Sequence, residues 1–231
     1  MADTPTPRHF DDRTRRELLD QRVLVLDGVL DDDNGTRLAA QMMMLGAADA
    51  SADIALWIHS PGGSVPAMLA LRDIMRLVPS DVSTLALGIA CSAGQFLLSA
   101  GEPGKRRALA HSRVLMHQGS AGIGGTAVDV ELQADDLRHT RDTVLGLIAD
   151  DTGQPLERVF EDSLRDRWYS AQEALDYGFV DEIVTSYADV VPFMLGNNGR
   201  VVALIADVDD PDQLAGAIRV VESRLGTVGS T

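Results

Sequence analysis

Short apolar runs bounded by glycine, proline and acidic residues recur along this 231-residue chain, alternating with stretches whose apolar positions return every three or four residues. The first pattern reads as buried strand and the second as amphipathic helix. Residues 13–21 form a short helix, and 23–28, Val-Leu-Val-Leu-Asp-Gly, a strand closed by a turn glycine. The acidic triplet Asp31-Asp32-Asp33 then caps and charges the start of a helix over 35–48, in which Met42-Met43-Met44 reads as core filling. A strand over 54–58 is broken by the loop Ser60-Pro61-Gly62-Gly63. Val65, Met68, Leu69 and Leu77 mark the helix that follows. Residues 82–90 are an almost continuous apolar strand leading into Cys91-Ser92-Ala93-Gly94 and a helix to about residue 100.

The second half continues this alternation. Residues 113–117 read as a strand, and glycines at 119, 122, 124 and 125 make a flexible loop. A long helix over 126–149 carries Val128, Leu132, Val144 and Ile148 among many charges, so much of its surface faces water or a partner. Pro155 opens a second helix reaching residue 165. Residues 168–170 lead into a helix over 171–177 that stops at Gly178, and 179–184 read as a closing strand. Beyond about residue 186 lies a tail with a turn at Asn197-Asn198-Gly199, a strand over 201–206 and helical spacing at Leu214, Ile218, Val221 and Leu225. Apolar strands alternating with helices predict an α/β fold, with helices covering a mostly parallel sheet.

Charge narrows the partners. Twenty Lys and Arg against 35 Asp and Glu give a net charge of −15, which repels nucleic acid and anionic membrane, and the cluster Lys105-Arg106-Arg107 is too short to reverse that. Residues 82–101 are uncharged over the length of a membrane helix, yet Ser83, Thr84, Ser92, Gln95, Ser99 and three glycines interrupt them. Two short buried elements meeting at Ser92 fit better than a span. A single cysteine, Cys91, excludes an internal disulfide and a Cys-based zinc site, and suits a reducing cytoplasm. The first twenty residues contain no apolar core of a signal peptide.

The candidate chemistry centres on the strand-to-helix turn at Ser92, where the unpaired amides of the helix can hold a developing oxyanion. Ala90 stands where a G-x-S-x-G elbow has its first glycine, so that motif fails and a helix N-cap serine is the alternative. His117, at a strand end beside the glycine-rich loop, is the best-placed general base, with His59 as its rival. His9, His111 and His139 lie in the tail, before a strand and on a charged helix. Cys91 competes as nucleophile, but strand alternation turns it from the face of Ser92 and makes it a small buried apolar residue. The residues alone do not single out a carboxylate partner.

Four runs, Ser60-Pro61-Gly62-Gly63, 91–98 (CSAGQFLL), 112–118 (SRVLMHQ) and Arg165-Asp166-Arg167-Trp168, resemble the proteolytic subunits of Clp proteases, the ClpP family, in the family's order. The resemblance covers about residues 10–186. Ser92 to His117 is 25 positions and His117 to Asp166 is 49, both matching the family without a gap. It implies a crotonase-like α/β fold with repeated ββα units and a handle helix from Thr126. It implies that Ser92 is the nucleophile, His117 its base and Asp166 the orienting carboxylate, with the amides of Gly63 and Ala93 as oxyanion hole. The stretch with Gly119, Gly122, Gly124 and Gly125 corresponds to the substrate-binding strand, Arg165 to a ring contact and Trp57 to the ATPase-docking groove.

The resemblance further implies a cytoplasmic serine endopeptidase in stacked heptameric rings, cleaving unfolded polypeptides delivered by a Clp-family AAA+ ATPase that uses the ATP. No cofactor or metal is expected on this chain. The expected organisation is a polar tail over 1–12, a peptidase domain over 13–186 and an extension over 187–231. The chain departs from the family in lacking a counterpart of the axial N-terminal hairpin. Trp57 replaces tyrosine, Gly119 replaces proline, and Leu164 stands at a position usually acidic. Two rival readings are a non-peptidase of the same fold, such as an enoyl-CoA hydratase, which the full triad disfavours, and a structural or regulatory subunit of a mixed ring, weakly active alone.

Overall fold

A computed structural model describes residues 12–119, 122–186 and 190. Fourteen elements run in the order α1 (Asp12–Asp20), β1 (Val23–Asp27), α2 (Asp32–Ala48), β2 (Ile54–Ser60), α3 (Val65–Leu77), β3 (Val82–Cys91), α4 (Ala93–Ser99), β4 (Arg106–Leu109), β5 (Arg113–Met116), α5 (Ala127–Thr152), α6 (Leu156–Ser163), β6 (Arg167–Ser170), α7 (Ala171–Tyr177) and β7 (Glu182–Val184). The expected α/β alternation is present. Strands β1-β2-β3-β4-β7 pair in parallel, β5 pairs parallel to β3, and β6 runs antiparallel to β5.

Period-two alternation assigns the faces of the sheet. Leu24 and Leu26 of β1 enter the main core with Leu56, Ile58, Phe96 and Leu97, while Val23 and Val25 join Ala55, Leu18 and Trp57 in a smaller cluster. The uncharged stretch around Ser92 is β3, a turn and α4. No helix among the described residues is long and apolar enough to cross a membrane.

β3 changes partner along its length, pairing with β4 at Thr84–Ala86 and with β5 at Ile89–Cys91. The change coincides with an irregularity against β2: Ile58 lies opposite Ala86, but Ser60 lies opposite Ala90. An insertion of this kind re-aims a strand. Gly88 sits in it, and a Cβ there would meet His59 Nδ1 at 2.7 Å. The C-terminal end of β3, and with it Ser92, is thereby delivered to the β5–β6 pair.

Several boundaries differ from the sequence expectation, each for a local reason. β4 lies at the basic cluster, where no element was expected; Arg106 is buried, bonded to Asp181 and donating to the carbonyl of Asp151 at 2.5 Å. β6 forms where only a lead-in was expected, since antiparallel pairing with β5 supplies partners that local patterning does not reveal. The closing strand is three residues long because Gly178 ends α7 in a left-handed turn and Phe179 N donates back to Ala174, leaving Phe179 and Val180 as core plugs. α2 begins three residues before Gly35, its N-cap Asp31 forming a reciprocal capping box with Asn34. Of the methionine run only Met42 fills core; Met44 is 71% exposed and Met43 47%. The turn, strand and helix expected beyond residue 190, and residues 1–11 of the N-terminal tail, lie outside the described residues, while Asp12 already opens α1.

Candidate active site

β2, β3 and β5 are parallel neighbours, and their C-terminal ends converge, the usual place for a site in such a sheet. Ser92 follows β3 at φ 53° and ψ −114°, one of two non-glycine residues with positive φ among those described. Two backbone hydrogen bonds hold this disfavoured conformation: Ser92 N donates to the carbonyl of Leu115 on β5 at 2.9 Å, and Phe96 N donates to the Ser92 carbonyl at 2.9 Å. The hydroxyl makes no capping hydrogen bond, which removes the N-cap reading. The side chain is presented at the turn rather than consumed in closing α4.

The loop after β2 packs directly on this turn. A Cβ on Gly62, whose φ is 108°, would lie 2.8 Å from Ser92 Cβ, so only glycine leaves room for the serine. Gly63 forms a parallel bridge with Leu30, through Leu30 N donating to Gly62 O and Ser64 N donating to Leu30 O, both at 2.8 Å. A Cβ on Gly63 would overlap Leu30 O at 1.9 Å. This pairing turns the N–H of Gly63 itself to the opposite side. Ala93 opens α4, so its amide has no carbonyl a turn behind it to accept its proton.

His117 follows β5 directly and Asp166 precedes β6 directly. Met116 lies opposite Arg167 in the antiparallel register, so the two side chains emerge together at one end of the pair. His117 Nδ1 and Asp166 Oδ1 are 3.1 Å apart. The imidazole is 29% exposed and the carboxylate 69%. No hydrogen bond joins the Ser92 hydroxyl to His117 among the described residues; the link between them is the Ser92 N to Leu115 O bond, two residues before the imidazole.

The competing side chains fare worse. His59 Nδ1 accepts from Ile89 N at 3.4 Å and is occupied at the irregularity in β3. Cys91 is buried, and its thiol is pushed up, first by burial and then by the Asp166 charge, which disfavours a thiolate. His111 and His139 are exposed, and His9 lies outside the described residues. No group of His, Cys, Asp and Glu able to hold a metal occurs among the described residues.

Other residues of interest stand around this centre. Gly119, Gly122, Gly124 and Gly125 are exposed. The Gln133 carboxamide clips Gly124, accepting from its N–H at 3.2 Å and donating to its carbonyl at 2.9 Å. Arg165 is exposed and makes no ion pair among the described residues, and its neighbour Leu164 is 53% exposed. Trp57 is partly buried on the face away from the main core. Sequence reasoning missed three contributors: the Leu115 carbonyl, the space left by Gly62, and Ser163, whose carbonyl accepts from Gln118 N at 2.7 Å beside the imidazole. Gly62 was legible in its motif; the Leu115 carbonyl needed the strand pairing, and Ser163 the packing of the α6 end beside β5.

Known proteins resemble the chain over most of its length. The chain is 53% identical over 191 residues to ATP-dependent Clp protease proteolytic subunit 3 of Streptomyces coelicolor, covering 83% of this chain and 88% of that one. It is 50% identical to proteolytic subunit 1 of Streptomyces avermitilis over the same shares, and 50% identical to proteolytic subunit 3 of Rhodococcus jostii over 80% of this chain and 91% of that one. A sequence model described as Clp protease matches residues 8–187. With a family match over most of its length and relatives at about half identity, the chain belongs to the Clp protease family.

Proposed function

We propose that this chain is a proteolytic subunit of an ATP-dependent Clp protease, a serine endopeptidase in which Ser92, His117 and Asp166 form the catalytic triad. The observation that carries this reading is the His117–Asp166 pair at 3.1 Å, on strand ends tied to the backbone of a serine held at positive φ.

His117, oriented by Asp166 at Nδ1, takes the Ser92 proton through its other ring nitrogen as Oγ attacks the scissile carbonyl. The amides of Gly63 and Ala93 receive the oxyanion, each such donor contributing about 3 kcal/mol in comparable sites. His117 then gives its proton to the leaving amine, and water, activated by the same imidazole, releases the acyl group. The exposed loop bearing Gly119, Gly122, Gly124 and Gly125 pairs with extended substrate through its backbone, which suits cleavage with little dependence on sequence. Gln133 leaves Gly124 when that strand extends.

The same reading extends to assembly. Val128, Leu132, Leu156 and Phe160 are 64%, 64%, 48% and 38% exposed, an apolar allotment that subunit contacts cover. We assign the N-terminal half of α5 as the handle helix of a crotonase-like fold with ββα units, in stacked heptameric rings. Trp57 contributes to the groove that docks an AAA+ ATPase. The ATPase consumes the ATP and feeds unfolded polypeptide, and this chain binds no cofactor of its own. The single buried free cysteine suits a cytoplasmic setting.

A second reading, a subunit that works chiefly in a mixed ring, is favoured by two features: exposed Leu164 and Arg165, which makes no ion pair among the described residues, stand where the ring contact is assigned, and several relatives bear numbered subunit names. The assay that tests the main reading adds a Clp-type ATPase and ATP to the purified chain with an unfolded protein substrate. ATP-dependent degradation, lost in Ser92→Ala, is expected. Absence of any degradation, with or without a second ClpP-type chain, contradicts it.

A further inference from the structure

Asp166 is 69% exposed and is held, among the described residues, by nothing except the histidine it would orient. A carboxylate so exposed is not fixed by its own packing. The four residues 163–166, between the last turn of α6 and the first residue of β6, are however bracketed on both sides. Asp162, in the last turn of α6, forms an ion pair with Arg167, the first residue of β6, and the two enclose Ser163, Leu164, Arg165 and Asp166. The Arg167 guanidinium also lies 5.1 Å from the ring centroid of Tyr169, which is buried.

The clamp has a rigid base. Asp162 Oδ2 lies 3.6 Å from Arg158 Nε, and the Arg158 guanidinium sits 5.0 Å from the ring centroid of Tyr177. Tyr169 and Tyr177 meet edge to face at 5.2 Å, and both pack on Phe179 of the core at 5.0 and 4.5 Å. The Asp162 side chain is therefore 15% exposed between two cations, each stacked on one tyrosine of a buried aromatic cluster. Both phenols stay protonated. Burial pushes Tyr169 up to about 12 and raises Tyr177 as well, with the Asp162 charge adding to each. Asp162 Oδ2 and both tyrosine hydroxyls are buried, the Tyr177 hydroxyl interacting with the Asp162 carboxylate and the Tyr169 hydroxyl with Tyr177. On the histidine side, Gln118 N donates to Ser163 O at 2.7 Å and Gln118 Nε2 to Ser163 Oγ at 3.2 Å, fastening the residue after His117 to the same loop.

We infer that Asp162 and Arg167 are positioning residues that hold Asp166 against His117 by closing its loop onto the Tyr169–Tyr177–Phe179 cluster. This rests on the triad reading above. A loop released from the clamp keeps substrate contacts intact but lets the Asp166 carboxylate wander from Nδ1, so the chemical step suffers and binding does not. Asp162→Asn preserves volume and removes the charge.

The test measures hydrolysis of a short fluorogenic peptide by the full-length assembled protein, with active sites counted by fluorophosphonate titration. The expected result for Asp162→Asn is a fall of about ten- to a hundredfold in kcat per titrated site, the scale of a displacement near 1 Å in a catalytic group, with KM within about twofold of the parent. Asp162→Glu, which keeps the charge, retains most of the activity. Arg167→Lys, which keeps the charge but loses the planar fork, shows the same split between kcat and KM and serves where Asp162→Asn folds poorly. A per-site kcat equal to the parent in Asp162→Asn or Arg167→Lys, whatever the loss of thermal stability, overturns the inference. Ser92→Ala run alongside separates the two failures: persistent labelling there defeats the triad reading itself, while lost labelling with normal Asp162 variants defeats only the clamp.

Discussion

The amide of Ser92 donates to the carbonyl of Leu115 at 2.9 Å, and His117 stands two residues further along the same strand end. One hydrogen bond thus couples the left-handed turn that presents the serine to the strand that presents the imidazole. Asp166 joins from β6 because Met116 and Arg167 are directly opposed. Two strand pairings, β3 with β5 and β5 with β6, thus tie the turn that bears Ser92 to the strand end that bears His117, and His117 to Asp166.

The choice of base follows from that relationship. His117→Ala is expected to reduce peptide hydrolysis by more than a thousandfold, on the scale of losing a triad member, whereas His59→Ala should keep activity within about threefold and lower stability modestly through the lost Ile89 contact. Steady-state hydrolysis of a fluorogenic peptide by both variants measures this. Equal losses in the two reverse the assignment.

Gly62 offers a steric test. A methyl there would stand 2.8 Å from Ser92 Cβ and 3.0 Å from Cys91 O, and the residue's φ of 108° disfavours any side chain. Gly62→Ala is expected to abolish fluorophosphonate labelling while the protein still folds, because the strain falls on the turn and not on the core. Normal labelling kinetics would show that the turn has more freedom than the geometry allows.

These expectations also show what the sequence carries and what it hides. The apolar run around Ser92 was legible as two buried elements meeting at the serine, and α3 and α7 begin and end where the pattern and Gly178 place them. β4 was not legible, because Arg106 and Arg107 in a strand look like a solvated patch until Asp181 and Glu182, 75 positions away, are known as their partners. β6 was hidden for the same reason, its partner strand being remote. His117 was readable as a strand-end imidazole. Asp166 was not separable from its acidic neighbours by local pattern, since only pairing between β5 and β6 brings it to the ring nitrogen.

Arg106 and Asp181 give a dependence on pH. Burial raises the Asp181 carboxyl, but hydrogen bonds from the Arg106 side chain and backbone, together with the Gly104 amide, outweigh this and leave it below its ordinary value. A group depressed in the folded state stabilises above its unfolded pKa, and that stability is lost as pH falls through the folded value. Asp181→Asn is therefore expected to cost roughly 1.5–3 kcal/mol near pH 7 and progressively less as the pH drops below about 4. Thermal melts across that range check it. A loss that does not change with pH assigns the effect to packing.

Leu164 tests the second reading. An acid supplied to Arg165 across a ring contact should strengthen assembly, so Leu164→Glu is expected to move sedimentation toward the double ring and raise peptidase activity, while the parent alone sediments as a smaller, weakly active species. A parent chain that forms a stable, fully active double ring by itself shows that Arg165 has another partner.

The central claim is that Ser92 is the nucleophile, and covalent labelling tests it most directly. A fluorophosphonate probe applied to the assembled protein should modify one residue per subunit, located by peptide mass spectrometry at Ser92. Ser92→Ala should abolish both this adduct and peptide hydrolysis while leaving the assembly mass unchanged. Persistent labelling or hydrolysis in the Ser92→Ala protein would contradict the account.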